Sequence, residues 1–568
     1  MKKICIPSKS GLITLWILCL LYQHAQAQTP NAYTGIWEGN FMEQFKTVIL
    51  LDQADQSTYI GKIMMYSGEN RIQDDELSNI SIDKNELSFY IAAKETSFKG
   101  TFNEMLTELT GNFIFPDNSK HPLVVRKYKE DSLAVNSVRE NPSLRERLNF
   151  DATKEELKSD FKDLVDKLKK YHPRLYSYTS EEAFTKEVEE INTQLNEDMN
   201  PEQFFVRIAP LVASVKCSHT GIRLPGPYQL FLHEKGLFFP LELYIEDTSA
   251  YCLASHGEAN AGSGPEPGSE IISINNMPVS QIIGELLSII PSEGTNMTRK
   301  YQELNRDFPG YFHMLDASER FLVEYSASGS GETVRLQSCT YEELQPRDLP
   351  AGELKSYNFH MESDPAYGVL KIASFGIRNM EDYFSFLDTV FINLNTAGTS
   401  TLVLDLRDNT GGHPIFAAQL FSYLTDKEFT YFRRNPDIAD FEPLYNPMQP
   451  NKNHFNGNIL VLVNGSCLST TGHLISLLEY HTGALFVGEE PGSTFMCNDF
   501  SIQVQLPHTG MEVNIPRTTF VTAVPGLEKG QPFPLDYRVQ QSLKDRIEGV
   551  DTYIYAVDTI AVKYMANP

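Results

Sequence analysis

The sequence lacks basic charge: its 568 residues include 48 Lys and Arg against 74 Asp and Glu, and its formal net charge is −26. Affinity for the phosphate backbone of nucleic acids comes mainly from Lys and Arg, so this balance argues against a nucleic-acid partner. It also gives no support to binding at an anionic membrane surface. The hydrophobic fraction of 41% and the charged fraction of 21% are typical of a globular protein. The composition therefore predicts a soluble, acidic protein of several domains.

Long apolar runs are also missing after the N-terminus, and a transmembrane helix needs about 20 such residues. The apolar run at residues 11–22 is shorter; it follows lysines and precedes a small-residue segment at 25–27. This order is that of a secretory signal peptide over residues 1–27, cleaved after Ala27. We therefore expect an exported protein, periplasmic or extracellular, without stable membrane insertion.

Cysteine is scarce: seven are present, and five remain once the signal peptide is removed. Their odd number and wide spacing exclude a disulfide-stapled minidomain, and no CxxC pair indicates zinc. Export permits disulfides, but the sequence gives no pairing, and we expect at least three of the five to be small buried hydrophobic residues. The five are Cys217, Cys252, Cys339, Cys467 and Cys497. No HExxH, P-loop or dinucleotide GxGxxG motif occurs, so no metal or nucleotide cofactor is predicted.

Four regions with different patterns follow the signal peptide. Residues 28–130 contain short alternating runs separated by glycines, which predicts an antiparallel β-barrel or sandwich; a packed module is favoured over a ligand carrier. Residues 131–225 predict a helical subdomain, and residues 226–345 predict strands again. Residues 346–568 alternate strands and helices, which indicates a largely parallel sheet covered by helices.

The helical region carries explicit start and stop signals. Thr153 and Glu156 form a capping box, and Asn200 caps the third helix ahead of a proline at its first position. Pro173 ends the first helix, because proline disfavours helical backbone in the residue before it.

Three short segments carry groups suited to catalysis. Ser469 follows a buried apolar strand and starts a helix, where unpaired N–H groups and the helix dipole can stabilise an oxyanion; the alternative is an ordinary N-cap. His219 lies at a turn next to Ser218, although a single histidine is more often structural than catalytic. Gly411 and Gly412 end a strand, where backbone N–H groups can approach a ligand without an intervening Cβ. The alternative for these two glycines is a tight strand–helix turn.

In combination, these segments resemble the tail-specific, or C-terminal-processing, serine peptidases. The segments that carry the resemblance are LVLDLRDNTGG (402–412), ILVLVNGSCLS (459–469), CSHTGIRL (217–224), PGSEIISIN (267–275) and PLDYRV (534–539). The resemblance covers about residues 140–568. It implies a multidomain α+β fold, in which a PDZ-like β insert spans 226–345. It also implies that residues 346–568 form the crotonase-like α/β core shared with the Clp protease subunit.

The family has two branches that activate the serine differently. One uses a Lys in a Gly-Lys-Gly context, but the corresponding segment 488–494, GEEPGST, has no Lys. The other branch, which includes the tricorn core peptidase, uses a His from an HT turn with a Ser and a Glu, and this sequence is similar to it. The resemblance implies the following roles: Ser469 as nucleophile, His219 as general base, Ser218 as its orienting partner, and the N–H groups of Thr470 and of Gly411 or Gly412 as the oxyanion hole.

The acidic partner of this branch is expected shortly before the terminal PLD segment. Glu528 is the nearest candidate and is offset by one residue; it could equally be a solvated loop acid, and Glu489 and Asp499 are alternatives. Gly472 stands where the family often has an acid. We therefore expect a serine endopeptidase that acts on proteins or peptides through a Ser469 acyl-enzyme. The rival is a non-catalytic crotonase-fold protein that binds peptide, glycan or a lipophilic ligand, and the oligomeric state is not predicted.

Overall fold

The computed structural model describes residues 33, 35–41, 45–53, 59–67, 70–103, 106–116, 119–127, 151–327, 329–344, 356–435, 441–525 and 532–566. The predicted signal peptide lies outside these residues. The chain divides into two compact units, Met1–Asn149 and Phe150–Pro568. Within the described ranges, no helix is both long enough and apolar enough to cross a membrane.

The first unit contains one antiparallel sheet. Its strands are β1 (Gly35–Phe41), β2 (Phe45–Gln53), β3 (Tyr59–Ser67), β4 (Asn70–Glu76), β5 (Ser78–Asp83), β6 (Glu86–Ile91), β7 (Thr96–Phe102), β8 (Glu108–Ile114) and β9 (Lys120–Lys127), with a short 3-10 helix at Ala92–Lys94. Their spatial order is β4-β3-β2-β1-β9-β8-β7-β6-β5. Only Leu77 separates β4 from β5, and its N–H donates to the carbonyl oxygen of Gly61 in β3 over 2.9 Å. The two ends of the sheet are thus one continuous stretch of chain, which closes the sheet on itself.

Aromatic side chains fill the interior of this sheet. Trp37 and Phe98 are almost completely buried, and the rings of Phe98 and Phe89 stack with their centroids 4.8 Å apart. Phe102 lies 4.8 Å from Trp37, and Phe113 packs edge-on against Phe98. Interlocked rings of this kind leave a packed core, which favours a structural module over a ligand carrier.

The second unit begins with three helices, α1 (Lys154–Tyr171), α2 (Glu181–Gln194) and α3 (Pro201–Ser214). The predicted capping box is present: the Thr153 side chain accepts from the Glu156 N–H, and the Glu156 side chain accepts from the Thr153 N–H. Asn200 caps α3 through the Gln203 N–H, with Pro201 at the first position. The apolar faces of these helices are buried, as their 3.6-residue period predicts.

Strands and short helices follow α3. They are β10 (Gly221–Arg223), α4 (Gly226–Lys235), β11 (Leu237–Phe238), β12 (Leu241–Glu246), β13 (Ser249–Ser255), a 3-10 helix (Glu258–Asn260), β14 (Glu270–Ile274), β15 (Met277–Pro278), α5 (Val279–Ile289), α6 (Thr298–Arg306), α7 (Phe308–Leu315), β16 (Arg320–Ala327), β17 (Ser330–Gln337), β18 (Cys339–Thr340) and α8 (Tyr341–Leu344). An antiparallel sheet runs in the order β12-β13-β14-β16-β17, and β15 also pairs with β14. Phe204 of α3 and Leu243 of β12 belong to one hydrophobic core, so the helices and this sheet pack as one body.

The rest of the chain surrounds a largely parallel sheet. Its elements are β19 (Tyr357–Ser363), β20 (Ala366–Ile372), α9 (Met380–Ala397), β21 (Thr401–Asp405), α10 (Pro414–Ser422), a 3-10 helix (Glu442–Tyr445), β22 (Asn458–Val463), α11 (Thr470–His481), β23 (Leu485–Gly488), β24 (Met496–Asp499), β25 (Ile502–Gln505), β26 (Glu512–Ile515), β27 (Thr518–Val521), β28 (Tyr537–Arg538), α12 (Leu543–Glu548) and α13 (Thr552–Ala566). The order is β19-β20-β21-β22-β23-β28, and the pairs from β20 to β28 are parallel. The carboxyl ends of β21 and β22 therefore meet at one edge of the sheet.

Two small sheets formed by residues 496–515 and their partners were not predicted. β10 pairs with β26 and β26 with β25, while β24 pairs with β27. The short strand β10 follows α3 directly, so its pairing with β26 attaches the helical region to the end of the chain that carries β24. All five cysteines are buried and unpaired, which confirms the expectation of small buried residues.

Candidate active site

The predicted nucleophile lies at a tight strand–helix turn. The apolar run of β22 gives way to Asn464-Gly465, a turn signal, and the helical period then starts α11. Ser469 occupies the N-cap position with φ of 53° and ψ of −124°, and its side chain makes no capping hydrogen bond. Backbone strain of this kind costs about 1–3 kcal/mol and persists only where the surroundings impose it. The Ser469 hydroxyl is thus not used as a helix cap.

Hydrogen bonds to the end of β21 impose this conformation. The N–H of Leu468 donates to the Asn409 carbonyl oxygen over 3.1 Å, and the Cys467 thiol donates to the Leu406 carbonyl oxygen over 3.1 Å. Ser469 itself is 8% exposed. The turn therefore presents one small polar group to solvent from an otherwise buried setting.

The glycine pair lies directly against the serine. A Cβ atom on Gly411 would lie 2.7 Å from the Cβ of Ser469, and one on Gly412 would lie 2.2 Å from the carbonyl carbon of Phe375. Their φ angles of 105° and 136° also lie in the region that favours glycine. Close approach and backbone conformation together require glycine at both positions.

Two backbone N–H groups beside Ser469 are available to an incoming oxygen atom. The Thr470 hydroxyl donates to the Gly412 carbonyl oxygen, which joins the two turns. In the part of the chain that the structure describes, the N–H groups of Thr470 and Gly412 have no hydrogen-bond partner, whereas that of Gly411 donates to Asn409 Oδ1 over 2.9 Å. Of the two glycines that the sequence offered, Gly412 is therefore the one with an unused donor.

His219 lies in the turn between α3 and β10. The Asn514 side-chain amide donates to the His219 carbonyl oxygen over 2.6 Å, and the pairing of β10 with β26 holds the same turn. The imidazole Nδ1 is 3.4 Å from the Ser218 hydroxyl oxygen, and Nε2 is 3.7 Å from Asp499 Oδ2. The side chain is 18% exposed. The ring thus lies between a hydroxyl and a carboxylate and remains accessible.

Strand β24 connects the serine with the histidine. The Ser469 hydroxyl is hydrogen-bonded to the Cys497 side chain, and Asp499, two residues along the strand, contacts His219. Alternate residues of a strand face the same side. Burial and, to a smaller extent, the nearby His219 lower the pKa of His473, one helical turn after Ser469, to about 3. Among the described contacts, no hydrogen bond joins Ser469 directly to His219, and β24 brings the two regions together.

Of the three acids that the sequence named, Asp499 is the one seen in contact with His219. Glu489 instead accepts from the Tyr553 hydroxyl over 2.7 Å, and burial raises its pKa. Glu528 lies outside the described residues. The role of the third group therefore stays a prediction with two candidates, Asp499 and Glu528.

Gly472 departs from the family pattern for a steric reason. A Cβ atom there would lie 2.5 Å from the Ser493 hydroxyl oxygen and 2.6 Å from the Ser493 carbonyl carbon. A longer acidic side chain does not fit, because α11 packs directly on this segment. The described residues also contain no group of three His, Cys, Asp or Glu side chains placed to hold a metal ion.

Five further residues at the site were not anticipated from the sequence. They are Asn409, Asn464, His473, Cys497 and Glu293, whose Oε2 accepts the Ser218 N–H over 3.3 Å. His473 alone had a local signal, since a residue four positions after Ser469 lies on the same helix face. The others reach the site from segments distant in sequence, which no local pattern reveals.

A strained serine at the head of a buried helix, beside a glycine turn and near an imidazole, is the arrangement of a serine-type hydrolase. Residues 366–519, which contain both turns, match the model of peptidase family S41. The protein is therefore a serine-type peptidase. It belongs to family S41, the tail-specific peptidases.

Solved structures with a similar fold include three of CPAF. Mature CPAF is 13% identical over 73% of this chain and 98% of its own, with a TM-score of 0.52. A serine-to-alanine CPAF mutant has the same identity and coverage with a TM-score of 0.53. CPAF complexed with lactacystin is 13% identical over 72% of this chain and 98% of its own, with a TM-score of 0.51. At this identity the likeness concerns the fold, and no curated protein matches the chain.

Proposed function

We propose that the protein is an exported serine endopeptidase that cleaves proteins or peptides through an acyl-enzyme on Ser469, with His219 as general base. The observation that carries the proposal is the strained Ser469 side chain, which caps no helix and lies beside the unused N–H groups of Thr470 and Gly412. A non-catalytic binding protein would have no use for a serine held in this way. This observation favours the enzyme over that alternative.

Cleavage proceeds by acyl transfer. The Ser469 oxygen attacks the carbonyl carbon of the scissile bond, and the hydroxyl proton passes to His219. The carbonyl oxygen becomes an oxyanion, which the N–H groups of Thr470 and Gly412 stabilise by about 3–4 kcal/mol per donor. The C–N bond then breaks as His219 gives the proton to the leaving nitrogen. Water attacks the acyl-enzyme with the same base and releases the carboxylic acid product and the free serine.

Ser469 and His219 must share a hydrogen bond for this proton transfer. Catalytic hydrogen bonds are often loose in an empty site and tighten in the substrate complex. The contacts of Cys497 with Ser469 and of Asp499 with His219 support a short separation between the two groups. Substrate binding is the event that closes it in this proposal.

The imidazole is oriented by Ser218 and an acid. The Ser218 hydroxyl lies beside Nδ1, and Asp499 lies beside Nε2. Glu528 remains the candidate that the family pattern favours, and Asp499 is the candidate that contact favours. A histidine-centred site and the lack of Lys in 488–494 support the tricorn-like branch over the Ser–Lys branch.

The finer domain assignments belong to the same proposal. The sheet of β12–β17 with α5 against it supports a PDZ-like insert that receives a substrate segment as an added strand. The parallel sheet from β20 to β28 supports a crotonase-like core. The signal peptide over residues 1–27 supports export to the periplasm or the exterior.

A fluorophosphonate probe tests the mechanism, because it phosphonylates only an activated serine. We expect the mature protein to be labelled at Ser469, as located by peptide mapping, and His219→Ala to lose the labelling. His360→Ala is the matched control, since this histidine is exposed on β19 and pairs with Glu362. Labelling that His219→Ala leaves unchanged removes His219 from the mechanism, and absence of any labelling in the active protein removes Ser469.

A further inference from the structure

Cys497 lies between the proposed nucleophile and a second, fully buried histidine. Its Sγ is 3.3 Å from Nε2 of His473, and its side chain is hydrogen-bonded to Ser469. His473 lies one turn after Ser469 in α11, and its backbone N–H donates to the Ser469 carbonyl oxygen over 3.2 Å. The three side chains therefore form a chain in the order His473, Cys497, Ser469.

The surroundings of His473 keep this chain neutral. The exposed fractions of His473 and Cys497 are 2% and 1%. The Phe432 ring packs edge-on against the imidazole at a centroid distance of 5.0 Å, and the Tyr431 ring does so at 6.2 Å. Burial lowers the pKa of His473 and raises that of the Cys497 thiol, so an imidazolium–thiolate pair is disfavoured. Cys497 is thus a neutral thiol that does not compete with Ser469 as a nucleophile.

The contacts of the imidazole decide which ring nitrogen carries its proton. Within the described part of the chain, Nδ1 of His473 is buried without a hydrogen-bond partner. An N–H group buried without an acceptor is costly, whereas an unused acceptor nitrogen in apolar surroundings costs less. The proton therefore belongs on Nε2, which faces the Cys497 sulfur.

We propose that His473 and Cys497 are positioning residues that orient the Ser469 hydroxyl. Nε2–H of His473 donates to the sulfur, and the thiol S–H donates to the Ser469 oxygen. The Ser469 oxygen then accepts from the sulfur, so its own O–H is directed away from Cys497 and toward the general base. This inference rests on the proposed function, because it assigns the hydroxyl proton of Ser469 to His219.

The test compares side chains that keep or lose each donor. In Cys497→Ala the donor is lost, and we expect kcat to fall about five-fold, the factor of one neutral hydrogen bond, with KM within about two-fold of wild type. Cys497→Ser keeps an O–H donor and should recover most of kcat. His473→Gln can place an amide N–H near the position of Nε2 and should exceed His473→Leu by a similar factor. Cys252→Ala, at a buried cysteine in β13, controls for the loss of a buried thiol.

Each outcome separates the relay from the proposed function. If wild type is labelled by fluorophosphonate at Ser469 but Cys497→Ala and Cys497→Ser share the same kcat, the relay is wrong and the proposed function stands. If wild type is not labelled at Ser469, the proposed function fails, and the relay fails with it. If Cys497→Ala does not fold, the His473→Gln and His473→Leu pair decides by the same kcat criterion. A parallel change in KM and melting temperature without rescue by the conservative variants means that both residues only fill space.

Discussion

Asp408 and Asn464 exchange two hydrogen bonds across the ends of neighbouring strands. The Asn464 amide donates to Asp408 Oδ1 over 2.9 Å, and the Asp408 N–H donates to Asn464 Oδ1 over 3.1 Å. The same Asn464 oxygen accepts the Ser466 N–H over 3.1 Å. One side chain thus binds the turn that carries the glycines to the turn that carries Ser469.

Replacement of this asparagine should loosen both turns. We expect Asn464→Ala to lower the free energy of unfolding by about 1–3 kcal/mol, because it leaves two N–H groups without their acceptor. Its kcat should fall more than KM rises, since the oxyanion donors and the serine lose their alignment. Urea unfolding and steady-state kinetics measure the two effects. Asn395→Ala on α9, where the amide contacts only backbone oxygens of a surface loop, is the control and should change neither.

Strain at the nucleophile should show as a trade of activity for stability. Ser469→Gly removes the side chain from a residue with φ of 53°, and glycine adopts this backbone without cost. We expect an inactive protein whose free energy of unfolding is higher by about 1 kcal/mol. Ser469→Ala should be equally inactive without the gain. Chemical denaturation of the pair checks this, and a Ser469→Gly variant less stable than Ser469→Ala would speak against backbone strain.

The two candidate acids can be separated by amide substitution. If Asp499 orients His219, Asp499→Asn should lower kcat by about 100-fold or more, because the amide favours the wrong orientation or tautomer of the ring. Glu528→Gln should then retain activity close to that of wild type. The reverse pattern in a peptide-cleavage assay assigns the role to Glu528 and leaves Asp499 as a neighbouring surface charge.

His473 should make the fold sensitive to mild acid. Its folded pKa is about 3, well below the ordinary value of 6.5, so between these values the unfolded chain binds a proton that the folded chain does not. The free energy of unfolding should therefore fall as pH falls, by about 1.4 kcal/mol per pH unit for this group. His473→Gln should reduce the slope by that amount in urea unfolding between pH 6 and pH 4. The exposed His360→Gln should not, and an unchanged slope in His473→Gln would contradict the prediction.

Local patterns in the sequence predicted much of the secondary structure. The capping box at Thr153, the cap at Asn200 and the strand–turn–helix around Ser469 depend on residues close in sequence, and each is present. The helix predicted over residues 380–394 ends at Ala397 instead, because Gly398 in a left-handed conformation stops it.

Contacts between distant segments could not be read in the same way. The strand that carries Cys497 and Asp499 has four residues, too few for a clear alternation, and its partner lies twenty residues further along the chain. The preference for Gly412 over Gly411 as donor depends on the Asn409 side chain, which occupies one N–H and not the other. Family resemblance supplied Ser469 and His219 as candidates, and only coordinates relate them to β24.

The helix that starts at Ser469 is buried from Thr470 to Leu478. Its amides should accordingly be among the slowest in the second unit to exchange with deuterium, since they open only when the whole unit does. Heat should then abolish hydrolysis and melt the unit at the same temperature, without an earlier phase in which an intact body has already lost its chemistry.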